Sequence, residues 1–166
     1  MRRTWAPTGE TRILRQRTRS HQKVSAAGVV TISPGRRRLG LHVVLYPNAN
    51  VTAPVLVDFL RALRRHVRGP LIFIWNRLST HRARTTNAYL DRCPQIHTVL
   101  LPAYAPELNA IEYAWSYLKG GLLANHAPND APELTCTALR HVRTIASKQN
   151  LLRGFVHATG LSLRFG

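Results

Sequence analysis

With 166 residues, 45% of them hydrophobic, and three tryptophans, the chain is long enough for one folded domain with its own core, which excludes a disordered basic tail. Its 24 Lys and Arg against 7 Asp and Glu leave a net charge of +17, which points to a polyanionic partner, nucleic acid ahead of an anionic membrane surface. No apolar run reaches the ~18–20 residues of a bilayer span, and Cys93 and Cys136 make no disulfide framework, so a cytoplasmic protein with free thiols is expected, nucleoid-associated if bacterial.

Residues 2–23 are dense in Arg without an apolar stripe and read as a basic arm. Val24 to Ser33 and Leu39 to Tyr46 are β-rich runs on either side of Pro34-Gly35-Arg36-Arg37-Arg38, which predicts an antiparallel hairpin with a basic tip. A helix should start near Thr52 as N-cap, with Pro54 in its first turn. Leu56, Phe59, Leu60, Leu63 and Val67 form its apolar stripe, Arg61, Arg64, Arg65 and Arg68 lie mostly off it, and Gly69-Pro70 stops it.

Leu71 to Trp75 is apolar without alternation, the pattern of a central strand covered on both faces. Ser79 or Thr80 can cap a helix running to about Asp91, and Ile96 to Leu101 is a second buried strand. Strand, helix, strand in this order predicts a parallel pair with a right-handed crossover. A further helix is expected from Glu107 to about Leu123, with Leu108, Ile111, Trp115, Leu118 and Leu122 on one face and Gly120-Gly121 weakening its end. Asp130 and Glu133 form a capping box that opens a last helix through about Ser147. Trp75 and Trp115 are expected in the core.

Asn76 is the first residue after one predicted strand, and Glu112 follows the next in the early turns of its helix. Ligands of parallel sheets gather at the carboxyl ends of strands, so both could face one cleft there. Cys93, His97, Cys136 and His141 add up to a zinc set, but no Cys-x-x-Cys clip is present and His97 falls inside a strand, which argues against it.

The run Leu101-Pro102-Ala103-Tyr104-Ala105-Pro106-Glu107-Leu108-Asn109-Ala110-Ile111-Glu112-Tyr113-Ala114-Trp115 closely resembles the third catalytic segment of insertion-sequence transposases of the mariner-like superfamily, written roughly LPPYSPELNPIE-x-x-W. Phe73 to His81 resembles that family's second segment, in which an apolar strand is followed by Asp and, five residues on, by His. Asn76 stands where the family keeps its second acid, and Glu112 at the third, 36 positions later. The segment Thr4 to Thr11 resembles the stretch after the first catalytic Asp.

The resemblance implies an α/β fold, a ribonuclease-H-like mixed sheet flanked by helices, with the first, central strand and its Asp missing from this chain. Losing that strand would expose strand edges on both sides. It also implies one partial DDE endonuclease domain over 1–166, made of the basic arm 1–23, a core 24–125 and a C-terminal helix and tail 126–166.

By resemblance, the activity is metal-dependent cleavage of DNA at transposon ends, then strand transfer. Carboxylates holding Mg²⁺ or Mn²⁺ would activate the attacking oxygen and stabilise the leaving one. Glu112 would be the surviving metal ligand, Asn76 the degenerate one, and His81 a supporting residue. With its acids reduced in this way, the chain is expected to be catalytically defective.

Transposon-end and target DNA are the expected partners, with no small-molecule substrate and with self-association allowed. Arg36, Arg37, Arg38, Arg64, Arg65 and Lys119 are the candidate phosphate contacts. A rival reading is a non-enzymatic DNA-binding remnant that interferes with intact transposase. A basic RNA- or ribosome-binding module is a third, which the Tyr-x-Pro-Glu-Leu-Asn context disfavours. Read without the resemblance, Glu112 would be a solvated helix carboxylate, Glu107 a first-turn helix charge, and Arg64 to Arg68 a solvated face.

Overall fold

The architecture is built around a twisted β-hairpin whose two faces are covered by different helices. A computed structural model describes residues 23–35, 38–124, 126–161 and 163. The basic arm, Arg36 and Arg37 lie outside the described residues. Strands β1 (Val24–Ile32) and β2 (Leu39–Pro47) pair antiparallel with Gly28 opposite Val43, and the turn is closed by Ser33 N–H donating to the Arg38 carbonyl at 2.9 Å. The hairpin is therefore as expected.

Alternation along β2 divides its side chains between two cores. Leu39, Leu41 and Val43 pack with helices α3 (Ala110–Tyr117), α4 (Ala131–Ser147) and α5 (Gln149–Ala158), around Ile111, Leu118, Val142, Ile145 and Leu152. Val44 and Tyr46 face helix α1 (Ala53–His66), whose Leu56, Phe59 and Leu60 form a second core with Ala27 and Trp75. Burying each such side chain contributes about 1.5–3 kcal/mol, so both faces of the hairpin are strongly specified. Gln149 fastens the first core at its rim. Its amide accepts from Leu39 N–H and donates to the Leu39 carbonyl, both at 2.9 Å, much as a neighbouring strand would.

Strands β3 (Leu71–Trp75) and β4 (Ile96–Leu100) pair parallel, Leu71 opposite Ile96 and Trp75 opposite Leu100, across helix α2 (Arg84–Leu90), as the βαβ reading requires. Among the described residues the strands form two separate two-stranded sheets, one antiparallel and one parallel. Ala27 of β1 and Trp75 of β3 nevertheless share the core over α1. No described strand lies between the sheets to join them by hydrogen bonds.

Several local expectations need correction. Strand β3 is covered on one face only: Trp75 is buried, but Ile72 and Ile74 on the other face are 73% and 47% exposed. An apolar strand sequence reports the burial a strand can accept, and here no described helix crosses that face.

The helix expected from Ser79 to Asp91 is split into a 3-10 turn over Ser79–His81 and α2, because Ala83 is extended (φ −65°, ψ 146°). The Thr86 hydroxyl donates to the Thr80 carbonyl at 2.7 Å and holds that break. The helix expected from Glu107 to Leu123 is likewise three pieces, a 3-10 turn over Pro106–Leu108, α3, and a widened π-type turn over Leu118–Leu122. Extended Asn109 separates the first two, and the pair Gly120-Gly121 permits the widening.

Trp115 is half-buried rather than fully enclosed, and Leu108 and Leu122 at the ends of its stripe are exposed. The C-terminal region carries two helices where one was expected. The cap at Asp130 is present: its carboxylate accepts Glu133 N–H at 2.8 Å, and the Glu133 carboxylate reaches back to Asn129 N–H at 2.8 Å, one residue before the expected partner.

Candidate functional site

The parallel pairing of β3 and β4 brings their carboxyl ends side by side, and the candidate residues emerge from that end. Leu101 N–H donates to the Trp75 carbonyl at 2.9 Å, and Arg77 Nε donates to the Leu101 carbonyl at 3.0 Å. These bonds tie the two chain exits together immediately after the strands. Asn76 lies between them, half-buried, and its side-chain oxygen accepts Leu78 N–H at 3.3 Å. The amide oxygen is thus turned into its own loop, the usual local bond of an Asx turn.

His81 is built into the same corner. Its Nδ1 lies 2.8 Å from the Asn76 carbonyl, and its ring stacks on Trp75 at 4.5 Å between centroids and 6° between planes. A carbonyl can only accept, so Nδ1 carries the hydrogen and Nε2 is the free acceptor of the neutral ring. Burial holds the imidazole below its ordinary value, partly offset by the Asn76 carbonyl. The neutral form is therefore favoured at neutral pH. The five-residue spacing from Asn76 to His81 is explained by this contact: the 3-10 turn carries the ring back over the strand it has just left.

Glu112 is reached from Leu101 through a loop containing Tyr104, which is fully exposed and held at φ +58°. Left-handed backbone is uncommon for an aromatic residue, and sequence reasoning did not single this position out. The only cue to it was its place between two prolines in the motif. Glu112 sits in the first turn of α3, half-buried, and its carboxylate has no hydrogen-bond or ion-pair partner among the described residues. Helix α3 is set by Trp115, whose ring lies against Gly28 of β1. Glu107 is exposed in the preceding turn.

Asn76 and His81 are thus brought into direct contact. Glu112 lies further along the chain, in the first turn of α3. Arg77 also belongs to this corner, and sequence reasoning missed it, since an exposed Arg carries no signal of a backbone tie. Among the described residues no three His, Cys, Asp or Glu side chains converge as metal ligands, which includes the zinc set of Cys93, His97, Cys136 and His141.

The cationic candidates are dispersed. Arg38, Arg65 and Lys119 are exposed at the hairpin tip, on α1 and after α3. The Arg64 guanidinium instead donates to the Val67 and Gly69 carbonyls and caps the end of α1. Arg61 pairs with Asp58 at 2.9 Å. No helix among the described residues is long and apolar enough to cross a membrane.

Comparison with known proteins yields one family match, the DDE superfamily endonuclease model, over residues 1–135. No curated protein matches the chain. Among solved structures, it is similar to the catalytic domain of Mos1 mariner transposase, with 15% identity, TM-score 0.49, and coverage of 85% of this chain and 83% of that one. The Mos1 catalytic domain with Raltegravir and Mg gives 15% and 0.49, covering 86% and 85%. The Mos1 paired end complex with Mn gives 16% and 0.46, and there the chain spans 98% of itself and 52% of the longer protein.

Proposed function

We propose a role in DNA transposition for this chain, which belongs to the DDE superfamily of endonucleases: it engages DNA through its cationic surface and, by itself, does not cut it. The observation that carries the second half is the state of Asn76. A neutral amide stands at the carboxyl end of β3, its oxygen occupied by Leu78 N–H, where metal-dependent chemistry calls for a charged carboxylate.

The family implies Mg²⁺ or Mn²⁺, hard cations held by several oxygens, carboxylates foremost. The described residues do not fit such a centre. Glu112 offers one carboxylate, Asn76 brings no negative charge, and no third ligand converges with them. Two cations held close together repel each other, and one carboxylate offsets little of that. No catalytic step is therefore assigned to a metal on this chain. His81 acts on the backbone of Asn76 and is a positioning residue in this reading.

The test is a nicking assay on transposon-end DNA with Mg²⁺ or Mn²⁺, comparing the chain with Asn76→Asp and Glu112→Ala. All three should be inactive. Metal-dependent nicking by the unaltered chain that vanishes in Glu112→Ala would overturn the reading, with Asp91 and Glu107 the next acids to examine. In parallel, fluorescence anisotropy on random duplex should show binding that weakens with salt at about −0.9 in log K per phosphate neutralised. Binding that is flat with salt removes the nucleic-acid half.

A further inference from the structure

Away from the β3 and β4 ends, a cleft of about 360 Å³ is lined by residues of β2, α1 and α4. It shares no residue with the Asn76 corner. Three of its lining residues can carry positive charge, one from each wall: His42 of β2, His66 in the last turn of α1, and Arg143 of α4. The two imidazoles stack at 6.1 Å between centroids, and Thr31 of β1 faces His42 with its hydroxyl 3.4 Å from Nε2. No Asp or Glu lines the cleft, and Arg143 has no hydrogen-bond or carboxylate partner among the described residues. The rest of the lining is apolar and includes the buried Phe59, Leu63 and Val142.

The geometry points to a phosphate-ester site in this cleft, with the anion on His42, His66 and Arg143 and an organic body, such as a nucleoside, against the apolar lining. Three arguments converge on that class. An Arg and two imidazoles lining one cleft, with no Asp or Glu in its described lining, favour an anion, and they offer the several N–H donors a phosphate can accept from. The volume falls at the lower end of small-ligand pockets and exceeds what a bare phosphate fills, so the ligand has a body. The apolar lining supplies a surface for that body, which a hydrated inorganic ion would not use. His42 is held below its ordinary value by burial and by the neighbouring His66. The negative charge of a bound phosphate would oppose that shift.

A free mononucleotide and an unpaired nucleotide of DNA share this chemistry. The inference rests on the nucleic-acid reading for the second source alone. The experiment follows the imidazole C2 protons of the full chain by NMR through a pH titration, with thymidine 5′-monophosphate, inorganic phosphate or a short oligothymidylate added. His42→Gln and His66→Gln assign the signals.

The mononucleotide should raise the His42 pKa by roughly one pH unit and move the His66 C2 signal. Arg143→Gln should weaken its binding about tenfold, and Arg92→Gln, exposed at the end of α2, should not. Inorganic phosphate should bind more weakly. Displacement of the mononucleotide by oligothymidylate identifies DNA as the source, and failure to displace it identifies a free nucleotide. Unmoved His42 and His66 signals, or equal weakening by Arg92→Gln, overturn the site. If the signals stay unmoved while salt-sensitive duplex binding persists, this inference falls and the nucleic-acid reading stands. If they move while duplex binding is absent, the reverse holds.

Discussion

Gly28→Ala tests how α3, and with it Glu112, is seated on the hairpin. A Cβ at Gly28 would lie 2.7 and 2.8 Å from two carbons of the Trp115 ring and 3.2 Å from Val43 Cγ2. The nearest approach is roughly 0.8 Å short of ordinary carbon–carbon contact at ~3.5 Å, so the indole or the strand must move. Overpacking of this kind costs about 1–3 kcal/mol. Against it, replacing glycine in a strand recovers about 0.5–1 kcal/mol of backbone entropy. The clash wins, and a net loss of about 1–2 kcal/mol is expected, a fall in Tm of roughly 3–6 °C for a chain of this size.

Trp115→Phe removes the benzo ring that carries the contact. The double variant Gly28→Ala, Trp115→Phe should therefore be less destabilised than the sum of the singles, by about 1 kcal/mol. Urea unfolding followed by far-UV circular dichroism measures all four corners of the cycle. A Gly28→Ala protein as stable as the parent, or two losses that simply add, would refute the close approach and the account of how α3 is placed.

Asp130→Ala removes the acceptor of Glu133 N–H at the start of α4 and should cost about 1 kcal/mol, read as a lower urea midpoint, while Asp130→Asn should retain most of it. Gly154 in α5 is exposed, and a Cβ there meets nothing within 4 Å, so Gly154→Ala should raise stability by roughly 0.5–1 kcal/mol in the same assay. Burial depresses the imidazoles of His42 and His81 below their ordinary 6.5. The unfolded chain therefore takes up protons first as pH falls. Their contribution is complete above about 6.5, declines as pH falls through 6.5 toward the folded-state values, and then levels off. Urea midpoints across that window should drop on acidification, and His81→Gln should flatten the drop; an unchanged slope in that variant would count against its burial.

What the sequence determined by itself was whatever depends on neighbours along the chain. The hairpin follows from two β-rich runs around Pro34-Gly35, α1 from an i, i+3, i+4 stripe between Thr52 and Gly69, and the α4 cap from Asp130 and Glu133. The parallel β3–β4 pair follows from the handedness of a βαβ connection. The motif around Glu112 was legible in the same way, because a fifteen-residue run is local and the family model covers it.

Tertiary structure decided what depends on groups distant in sequence. His81 folds onto Trp75 and the Asn76 carbonyl, and extended Ala83 breaks the helix that the local propensities would continue. Arg64 caps the end of α1 because the carbonyls of Val67 and Gly69 lie within its reach. Among the described residues nothing covers one face of β3, because burial requires a partner and no property of Ile72 or Ile74 supplies one. His42, His66 and Arg143 line one cleft although they come from three elements, β2, α1 and α4. Propensity and periodicity act over a few residues, whereas a site is the meeting of side chains that only packing brings together.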